Sequence, residues 1–577
     1  MPPVAASSKT ITGPALKSYE SRYVAIFAAC ASMVAFSYFF RHGEILLMGD
    51  ATAHIHIARR VFDSRTPGFS QLGTVWLPLP HILLLPFIFS NWAWQTGIGG
   101  SIPSMLSYVA GTVGIFRLVR GMLPLQPASR AAAWCAAIAF AGNPNLLYLQ
   151  ATAMTEPLYL ALFVWAMVYF SEFVQATRSS EGAARLHRVR ALRRCGWMLC
   201  AAMLTRYDAW FAALAFTVAG LAVLWNWTGR RIALWRSPLS PLFVQFVLII
   251  TLAPAFWLAY NAINWGNPLE FANGPYSARA IEARAHRPDD WHYPGWHAPT
   301  TAAFFFLKAA KLDMAGVAKP GPVADFPARS VRWGGHFENA WLGMAVLGTI
   351  LVLVWGRVYW PILLLWLPLP VYVLSISWGS VPIFVPVWWP YSYYNVRYGL
   401  QMLPAFAVMG AIVVYFVSSR GNEGSHLARK RMLAAAGTSL LFLIFVGGGY
   451  FLTWQATPSC VQEAQLNNAA RVLFDQEVSR QLTRLPQTSR VLMYTASHAA
   501  ALEFAGFPLR RTINESDKKL WSAALAAPSL AADFVVAFEN ADDPVWRSAQ
   551  QHQDDLQVIA IVNSPGQARA FFYQRRQ

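Results

Sequence analysis

Apolar segments long enough to cross a bilayer recur along most of the chain, and short polar loops separate them. A helix needs about 20 apolar residues to cross the hydrocarbon core, and short cytoplasmic loops carry the excess of Lys and Arg. These patterns predict an α-helical polytopic membrane protein with about eleven transmembrane helices and its N-terminus inside. The predicted spans are 23–41, 103–122, 131–149, 157–176, 192–206, 209–227, 240–262, 337–355, 360–378, 398–417 and 432–453.

The orientation rests on where the basic residues collect. The loop 178–194 holds six arginines, Arg178, Arg185, Arg188, Arg190, Arg193 and Arg194. This loop is therefore predicted to be cytoplasmic. The Pro-rich segment 76–94 is interpreted as a broken helix that re-enters or lies along the outer face, because a full crossing there would put Arg117 and Arg120 outside.

The last part of the chain changes character. Short β-rich runs at 490–495, 533–538 and 558–562 alternate with predicted helices at 499–505 and 517–527. This alternation predicts a small α/β domain with a partly parallel sheet. The expected organisation is a cytoplasmic tail (1–22), a membrane domain (23–453) with outer loops 42–75 and 264–336, and a soluble extracytoplasmic domain (454–577).

Composition agrees with this assignment. Hydrophobic residues make up 56% of the chain and charged residues 13%. The net charge of +18 does not indicate nucleic-acid binding, because the basic residues lie in short loops between spans. Four of the five cysteines fall in apolar segments and Cys460 stands alone, so neither a disulfide framework nor a thiolate metal site is expected.

Asp50 and Glu156 are two acids predicted at the same outer face. Ionisable groups beside a bilayer are costly and usually functional. Asp50 begins a short amphipathic helix, where it is either an N-cap or a catalytic base. Glu156 precedes Pro157 at the start of a span, where it is either a dipole-stabilised carboxylate or part of a reaction site. His54, one turn after Asp50, is either an interfacial residue or, with Asp50, a metal ligand.

Four further residues are candidates for binding a lipid phosphate. Arg206 and Tyr207 lie with Asp208 between two spans, where an internal Arg–Asp ion pair is the alternative interpretation. Arg397 lies at the outer end of a span, where it is either an interfacial anchor or a clamp for phosphate. His81 lies between prolines of the broken helix, and the sequence does not distinguish a structural role from a phosphate-binding role for it.

Two carboxylates and an arginine at a membrane surface suit transfer of a group from a lipid-linked phosphate. A phosphate leaving group needs little protonation, so one carboxylate suffices to take the proton of an acceptor hydroxyl. A cation receives the charge that develops on the phosphate. The other acid is then free to hold a sugar hydroxyl, a developing positive charge or a metal ion.

With Gly49-Asp50, Thr155-Glu156-Pro157 and the Arg/Tyr pair in this order of spans, the chain resembles the GT-C membrane glycosyltransferases, a superfamily that includes protein O-mannosyltransferases and aminoarabinose transferases. The resemblance covers about residues 20–450 in topology. It implies a polyprenyl-phosphate-linked sugar donor, with Asp50 as catalytic base and Arg397 at the donor phosphate. It also implies a site on the extracytoplasmic face of a bacterial inner membrane, and a divalent metal remains possible.

Two other classes remain as alternatives. One is a lipid or solute transporter without chemistry, which would place ionisable groups through the midplane, often in repeated halves. The other is a glycan ligase or polymerase of similar architecture. The acceptor, whether glycan, lipid or protein, is not specified by these patterns.

Overall fold

The computed structural model describes residues 18–124, 126–178, 182–227, 237, 239–285, 292–311, 330–385, 393–420, 428–486 and 488–576. The helices in these ranges are α1 Ser18–Arg41, α2 Gly49–Arg60, α3 Pro78–Leu84, α4 Asn91–Gln95, α5 Ile98–Met122, α6 Pro127–Ala141, α7 Pro144–Gln150, α8 Glu156–Ala176, α9 Gly182–Met203, α10 Asp208–Trp227, α11 Ser240–Trp265, α12 Glu270–Asn273, α13 Ala278–Ala285, α14 Pro299–Lys311, α15 Ser330–Trp355, α16 Pro368–Trp378, α17 Leu403–Arg420, α18 Ala428–Gln455, α19 Ser459–Leu482, α20 Ala499–Ala505, α21 Lys519–Ala526, α22 Pro528–Ala531 and α23 Pro544–Gln551. The strands are β1 Val491–Met493, β2 Thr512–Ile513, β3 Phe534–Phe538, β4 Leu556–Val562 and β5 Ala570–Arg575.

Nine helical segments in the described part of the chain are long and apolar enough to cross a membrane, at Tyr19–Arg41, Ile98–Met122, Glu156–Ala176, Asp208–Trp227, Ser240–Trp265, His336–Trp355, Val358–Trp378, Val396–Ser419 and Met432–Leu482. Each contains or overlaps a predicted span, so the predicted polytopic helical fold is confirmed. The predicted count of about eleven is approximate. The region 131–149 is divided between α6 and α7 where Asn143 caps α7, and 192–206 is the end of the arginine-rich helix α9.

The centre of the membrane domain is formed by α5, α6, α8 and α17. Helix α8 packs against α5 and α9, and α17 packs against α6 and α15. Eight of the fifteen residues of α6 are alanine (PASRAAAWCAAIAFA), and small side chains allow helices in a membrane to approach closely. The Cα of Gly348 on α15 lies so close to the backbone of Met409 on α17 that a side chain there would collide with it.

The Pro-rich segment is broken, as predicted. It consists of α3, a 3-10 turn at Leu85–Phe87, and α4, which is capped by Ser90. Proline lacks a backbone N–H and clashes with the preceding turn, so Pro86 favours a break in the helix. Helix α3 packs against α2 and α5, which places this segment beside the first outer loop.

The long loop 264–336 contains a helix that the sequence patterns did not indicate. Helix α14 packs against α16 and against the 3-10 helix Val396–Met402. Phe306 of α14 stacks on Tyr372 of α16, with ring centroids 4.8 Å apart. The loop is therefore part of the membrane domain's core near Arg397, although residues 286–291 and 312–329 lie outside the described ranges.

The C-terminal region contains a five-stranded sheet of order β2-β1-β3-β5-β4. Strand β1 is parallel to β2 and β3, and β5 is antiparallel to β3 and β4, so the predicted partly parallel α/β domain is confirmed. The sequence analysis missed β2 and β5. Helix α19 leads into the sheet, and it packs against α7 and the 3-10 helix Val396–Met402 of the membrane domain.

Candidate active site

Arg397 lies at the centre of a cluster of three carboxylates. Its Nη2 donates to Asp50 Oδ2 at 2.6 Å, and its Nη1 donates to Glu463 Oε1 at 2.8 Å. Its Nε lies 3.4 Å from Glu156 Oε1. These acids come from α2, α19 and α8, so the guanidinium joins three distant parts of the chain.

Arg206 forms a second cationic centre that shares Glu156 with Arg397. Its Nη1 donates to Glu156 Oε1 at 2.9 Å, and its Nε donates to Asp208 Oδ2 at 3.0 Å. Its Nη2 donates to the Tyr372 hydroxyl at 3.1 Å, and that hydroxyl donates to Asp208 at 2.6 Å. The Arg206–Asp208 ion pair proposed from the sequence is present, and the same arginine also reaches the candidate catalytic acid.

Tyr398 brings the two cations together. The guanidinium carbons of Arg206 and Arg397 lie 4.9 Å and 5.0 Å from the centroid of its ring. An aromatic face attracts guanidinium groups through its quadrupole. The two guanidinium groups therefore lie close together, and both approach Glu156 Oε1.

Asp50 is the accessible acid of this cluster. Its side chain is 39% exposed, whereas that of Glu156 is 1% exposed. Helix α2 has Met48 at its N-cap position, so the alternative in which Asp50 is the N-cap is wrong. The guanidinium of Arg471 on α19 lies against the backbone of Gly49, beside Asp50.

Glu156 lies in the first turn of α8, as predicted, and only one of its two carboxylate oxygens accepts a hydrogen bond from the described residues. Oε1 accepts from Arg206, but the buried Oε2 has no hydrogen-bond partner among the described residues. Buried carboxylate oxygens without a partner are rare, because desolvation is costly. Oε2 is thus an acceptor available to a ligand.

Glu463 is the site residue that the sequence analysis missed. Besides Arg397, it accepts the backbone N–H groups of Asn395 and Val396, each at 2.9 Å. Asn395 has a left-handed backbone with φ of 56°, and Glu463 therefore holds the turn that presents Arg397. No motif marks Glu463, since it follows the last span in a polar helix with several other acids.

His54 and His81 form a pair beside the cluster. His54 Nδ1 lies 2.9 Å from His81 Nε2, and the His54 ring packs 4.6 Å from Trp76. Burial, together with the charges of Arg397 and Arg206, lowers the pKa of His54 to about 3. His54 is therefore neutral near pH 7.

Tyr207 faces away from the arginines. Its hydroxyl donates to Val75 O at 2.9 Å and accepts from Trp257 Nε1 at 3.0 Å, while its ring stacks on Phe271 with centroids 5.1 Å apart. These contacts fasten the first outer loop to α11 and α12. The structure thus separates Tyr207 from Arg206, although the two are adjacent in the chain.

The two predicted metal ligands, Asp50 and His54, each have a protein partner. Among the described residues, no group of three or more His, Cys, Asp or Glu side chains has a suitable arrangement. Asp50 pairs with Arg397, and His54 pairs with His81. No step of the chemistry below is therefore assigned to a metal.

No protein-family profile and no curated protein matches the chain. Among solved structures it is similar to ArnT from Cupriavidus metallidurans, with a TM-score of 0.52 for the apo state and 0.51 for the state bound to undecaprenyl phosphate, both at 12% identity. These comparisons cover 96% of this chain and 98% of the apo chain, and 94% and 97% for the bound state. The Archaeoglobus fulgidus oligosaccharyltransferase tethered with an acceptor peptide matches at 11% identity over 97% of this chain and 74% of its own, with a TM-score of 0.46, too low to establish a common fold. The likeness to ArnT concerns the fold, which the two chains share over nearly their whole lengths.

Proposed function

Because the chain has the fold of ArnT, we propose that it is a membrane glycosyltransferase that takes a sugar from a polyprenyl-phosphate-linked donor. One observation carries the proposal: Arg397 and Arg206 converge on one aromatic ring, with the exposed Asp50 paired to Arg397. This arrangement combines a phosphate-binding pair with a candidate base. The ArnT structure bound to undecaprenyl phosphate supports a donor of this class.

The donor phosphate would bind between Arg397 and Arg206. Guanidinium groups bind phosphate through two parallel hydrogen bonds, and an arginine pair can contact several of its oxygens. The phosphate would replace Asp50 on Arg397, because Asp50 is the exposed partner. Glu463 would keep its contact with Nη1 and hold the guanidinium in place.

In the transfer step, the acceptor hydroxyl oxygen attacks the anomeric carbon of the donor sugar. The bond from that carbon to the phosphate oxygen breaks, and its electron pair leaves with the polyprenyl phosphate. Asp50 takes the proton of the acceptor hydroxyl. The arginines stabilise the negative charge that develops on the leaving phosphate, in a site where the positive charge is already in position.

Glu156 is proposed to hold the donor sugar. Its buried Oε2 is available to accept a hydrogen bond from a sugar hydroxyl. Arg206, fixed by Asp208 and Tyr372, keeps the carboxylate oriented. A misplaced sugar would lose the alignment that the displacement needs, so Glu156 would affect the rate as well as binding.

The proposal is tested by measuring the free polyprenyl phosphate that is released. Purified protein in nanodiscs is incubated with a mixture of undecaprenyl-phosphate-linked sugars and a crude envelope extract as acceptor. This product is the same whatever sugar is transferred. Release by the wild type and not by Asp50→Asn supports the proposal. A wild type that moves the donor across the bilayer without releasing product would favour the transporter, and transfer of whole glycans would favour the ligase.

The site is proposed to face the outside of a bacterial inner membrane. Single cysteines at the exposed positions Gln553 and His187, in a chain without its five native cysteines, distinguish the two sides. Gln553→Cys should react with an impermeant reagent in intact cells, and His187→Cys only after permeabilisation. The reverse pattern would contradict this orientation. Dependence on a divalent metal remains a separate hypothesis, and added EDTA tests it directly.

A further inference from the structure

We propose that a second polar site, at the opposite end of α2 from Asp50, binds an acceptor saccharide that carries a carboxylate or phosphate group. This inference rests on the proposed glycosyl transfer. We call this site the arginine seam, and define it by Arg60, Arg65, Arg511 and Asp517. It lies where the end of α2 and the loop after it meet residues 509–517 of the C-terminal domain.

Hydrogen-bonding atoms without partners concentrate in this seam. Arg60 Nε, Arg65 Nε and Arg511 Nη1 are buried donors with no hydrogen-bond partner among the described residues, and Asp517 Oδ1 is a buried acceptor in the same condition. Arg60 is 9% exposed and Asp517 is 4% exposed. Three further buried atoms have no hydrogen-bond partner among the described residues, namely Ser64 Oγ, Gln71 Oε1 and Thr512 Oγ1. Native interfaces rarely leave so many buried polar atoms unpaired in one place, so a polar ligand is expected there.

The charges of the seam face one another without closing into ion pairs. Arg60 interacts electrostatically with Glu515 and Asp517, and Asp517 interacts with Arg65 and Arg60. Among the described residues, no carboxylate lies within 4.0 Å of the guanidinium of Arg60 or Arg65. Glu515 is held instead by the N–H and hydroxyl of Thr495, at 3.0 Å and 2.7 Å. Three guanidinium donors thus remain available for an anionic group.

Tyrosine side chains lie near Arg60 and Glu515. Tyr260 and Tyr276 interact electrostatically with Arg60, and Tyr494 interacts with Tyr276 and with Glu515. The ring of Tyr494 stacks on Trp521 with centroids 6.2 Å apart. Aromatic walls combined with a few oriented polar groups are typical of small-molecule sites. A saccharide with one charged group matches both features.

The seam connects to the candidate active site. Ten residues of helix separate Asp50 from Arg60, which corresponds to about 15 Å at the rise of an α-helix. Arg60 also interacts electrostatically with His81, which pairs with His54 at 2.9 Å beside Arg397. A ligand that occupies the seam and presents a hydroxyl to Asp50 must therefore be extended, as an oligosaccharide is.

The test is direct binding to the full-length protein in nanodiscs. The probes are trigalacturonate, glucose 6-phosphate and neutral maltotriose, measured by calorimetry at low salt. We expect at least one charged probe to bind and maltotriose to bind much more weakly. Arg65→Gln and Arg511→Gln should each weaken charged-probe binding about tenfold, the scale of one lost charge-assisted hydrogen bond. Arg480→Gln, at an exposed position of α19, is the matched control and should bind like the wild type.

Undecaprenyl phosphate binding, measured on the same samples, separates this inference from the proposed function. The seam variants should keep it, whereas Arg397→Ala should lose it and keep the charged saccharide. A wild type that binds a charged saccharide but not undecaprenyl phosphate would overturn the proposed donor and leave the seam intact. The seam is refuted if no charged probe binds, if both seam variants bind like Arg480→Gln, or if maltotriose binds equally well.

Discussion

Arg397 Nη2 and Asp50 Oδ2 form an ion pair of 2.6 Å across 347 residues of sequence. Without donor, this pair joins the candidate base to the candidate phosphate-binding cation. An incoming phosphate would compete with Asp50 for Arg397, and the released carboxylate would lie beside the sugar it helps to transfer. Donor binding would therefore produce the free base at the point where it is needed.

The first prediction concerns Asp50. Asp50→Asn keeps the size and hydrogen-bonding capacity of the side chain but removes its basicity. We expect normal folding and a fall in transfer of at least about a hundredfold, the scale of a lost general base. Release of polyprenyl phosphate measures the effect, and near-normal turnover would show that Asp50 is not the base.

The second prediction concerns Glu156. Glu156→Gln should lower turnover, because the amide cannot balance the two arginines or accept through both oxygens. Glu172 on the same helix pairs with Arg117 at 2.6 Å, away from the cluster, so Glu172→Gln is the matched control. Equal turnover in the two variants would remove Glu156 from the proposed site.

The third prediction concerns Glu463 as a positioning residue. Glu463→Gln should loosen Arg397 and the turn at Asn395, because it loses one charge and part of its acceptor capacity. We expect weaker undecaprenyl phosphate binding with Asp50 still present. Glu477→Gln, at an exposed position of the same helix, should bind normally. A purely structural role for Glu463 would lower the melting temperature without changing the affinity of the protein that remains folded.

The fourth prediction concerns stability at low pH. Burial, with a further contribution from Arg60, lowers the pKa of His56 from 6.5 to about 3, and burial lowers that of His54 to about 3 as well. Between about pH 6.5 and 3 the unfolded chain therefore binds protons that the folded chain does not, so stability falls as pH falls through this window. His56→Gln should show a smaller drop in melting temperature between pH 7.5 and 5.5 than the wild type. His42→Gln, at an exposed position, is the control. Equal drops in the His56 variant and the wild type would contradict the assignment.

The sequence located Asp50, Glu156 and Arg397 because each interrupts or borders an apolar span, where an ionisable group needs a reason. Glu463 could not be found in this way, because α19 is polar and an acid there is unremarkable. Only the packing of α19 against the turn at Asn395 brings it to Arg397. Tyr207 is the reverse case: it was predicted as a site residue because it is adjacent to Arg206 in the chain, but its side chain points away from the arginines.

The fold was predictable to a similar extent. Long apolar runs identify spans such as α8 and α11 by composition alone. Helix α9 combines a basic half with an apolar half, so its span is short and its boundaries are not visible in the pattern. Helix α14 was missed because its apolar run 302–307 is brief and lies in a long polar loop. Its position is determined by contact with Tyr372 and the backbone beside Gly399.

The last prediction concerns Arg397. It is the most direct test of the central claim, which is that the two arginines bind a polyprenyl phosphate. The affinity of undecaprenyl phosphate is measured for wild type, Arg397→Lys and Arg397→Ala in nanodiscs. Lysine keeps the charge but not the planar guanidinium, so Arg397→Lys should bind undecaprenyl phosphate more weakly than the wild type. Arg397→Ala should bind it more weakly still. The account predicts saturable binding by the wild type that decreases in the order wild type, Lys, Ala. Absent binding by the wild type, or equal binding by the wild type and Arg397→Ala, would contradict it.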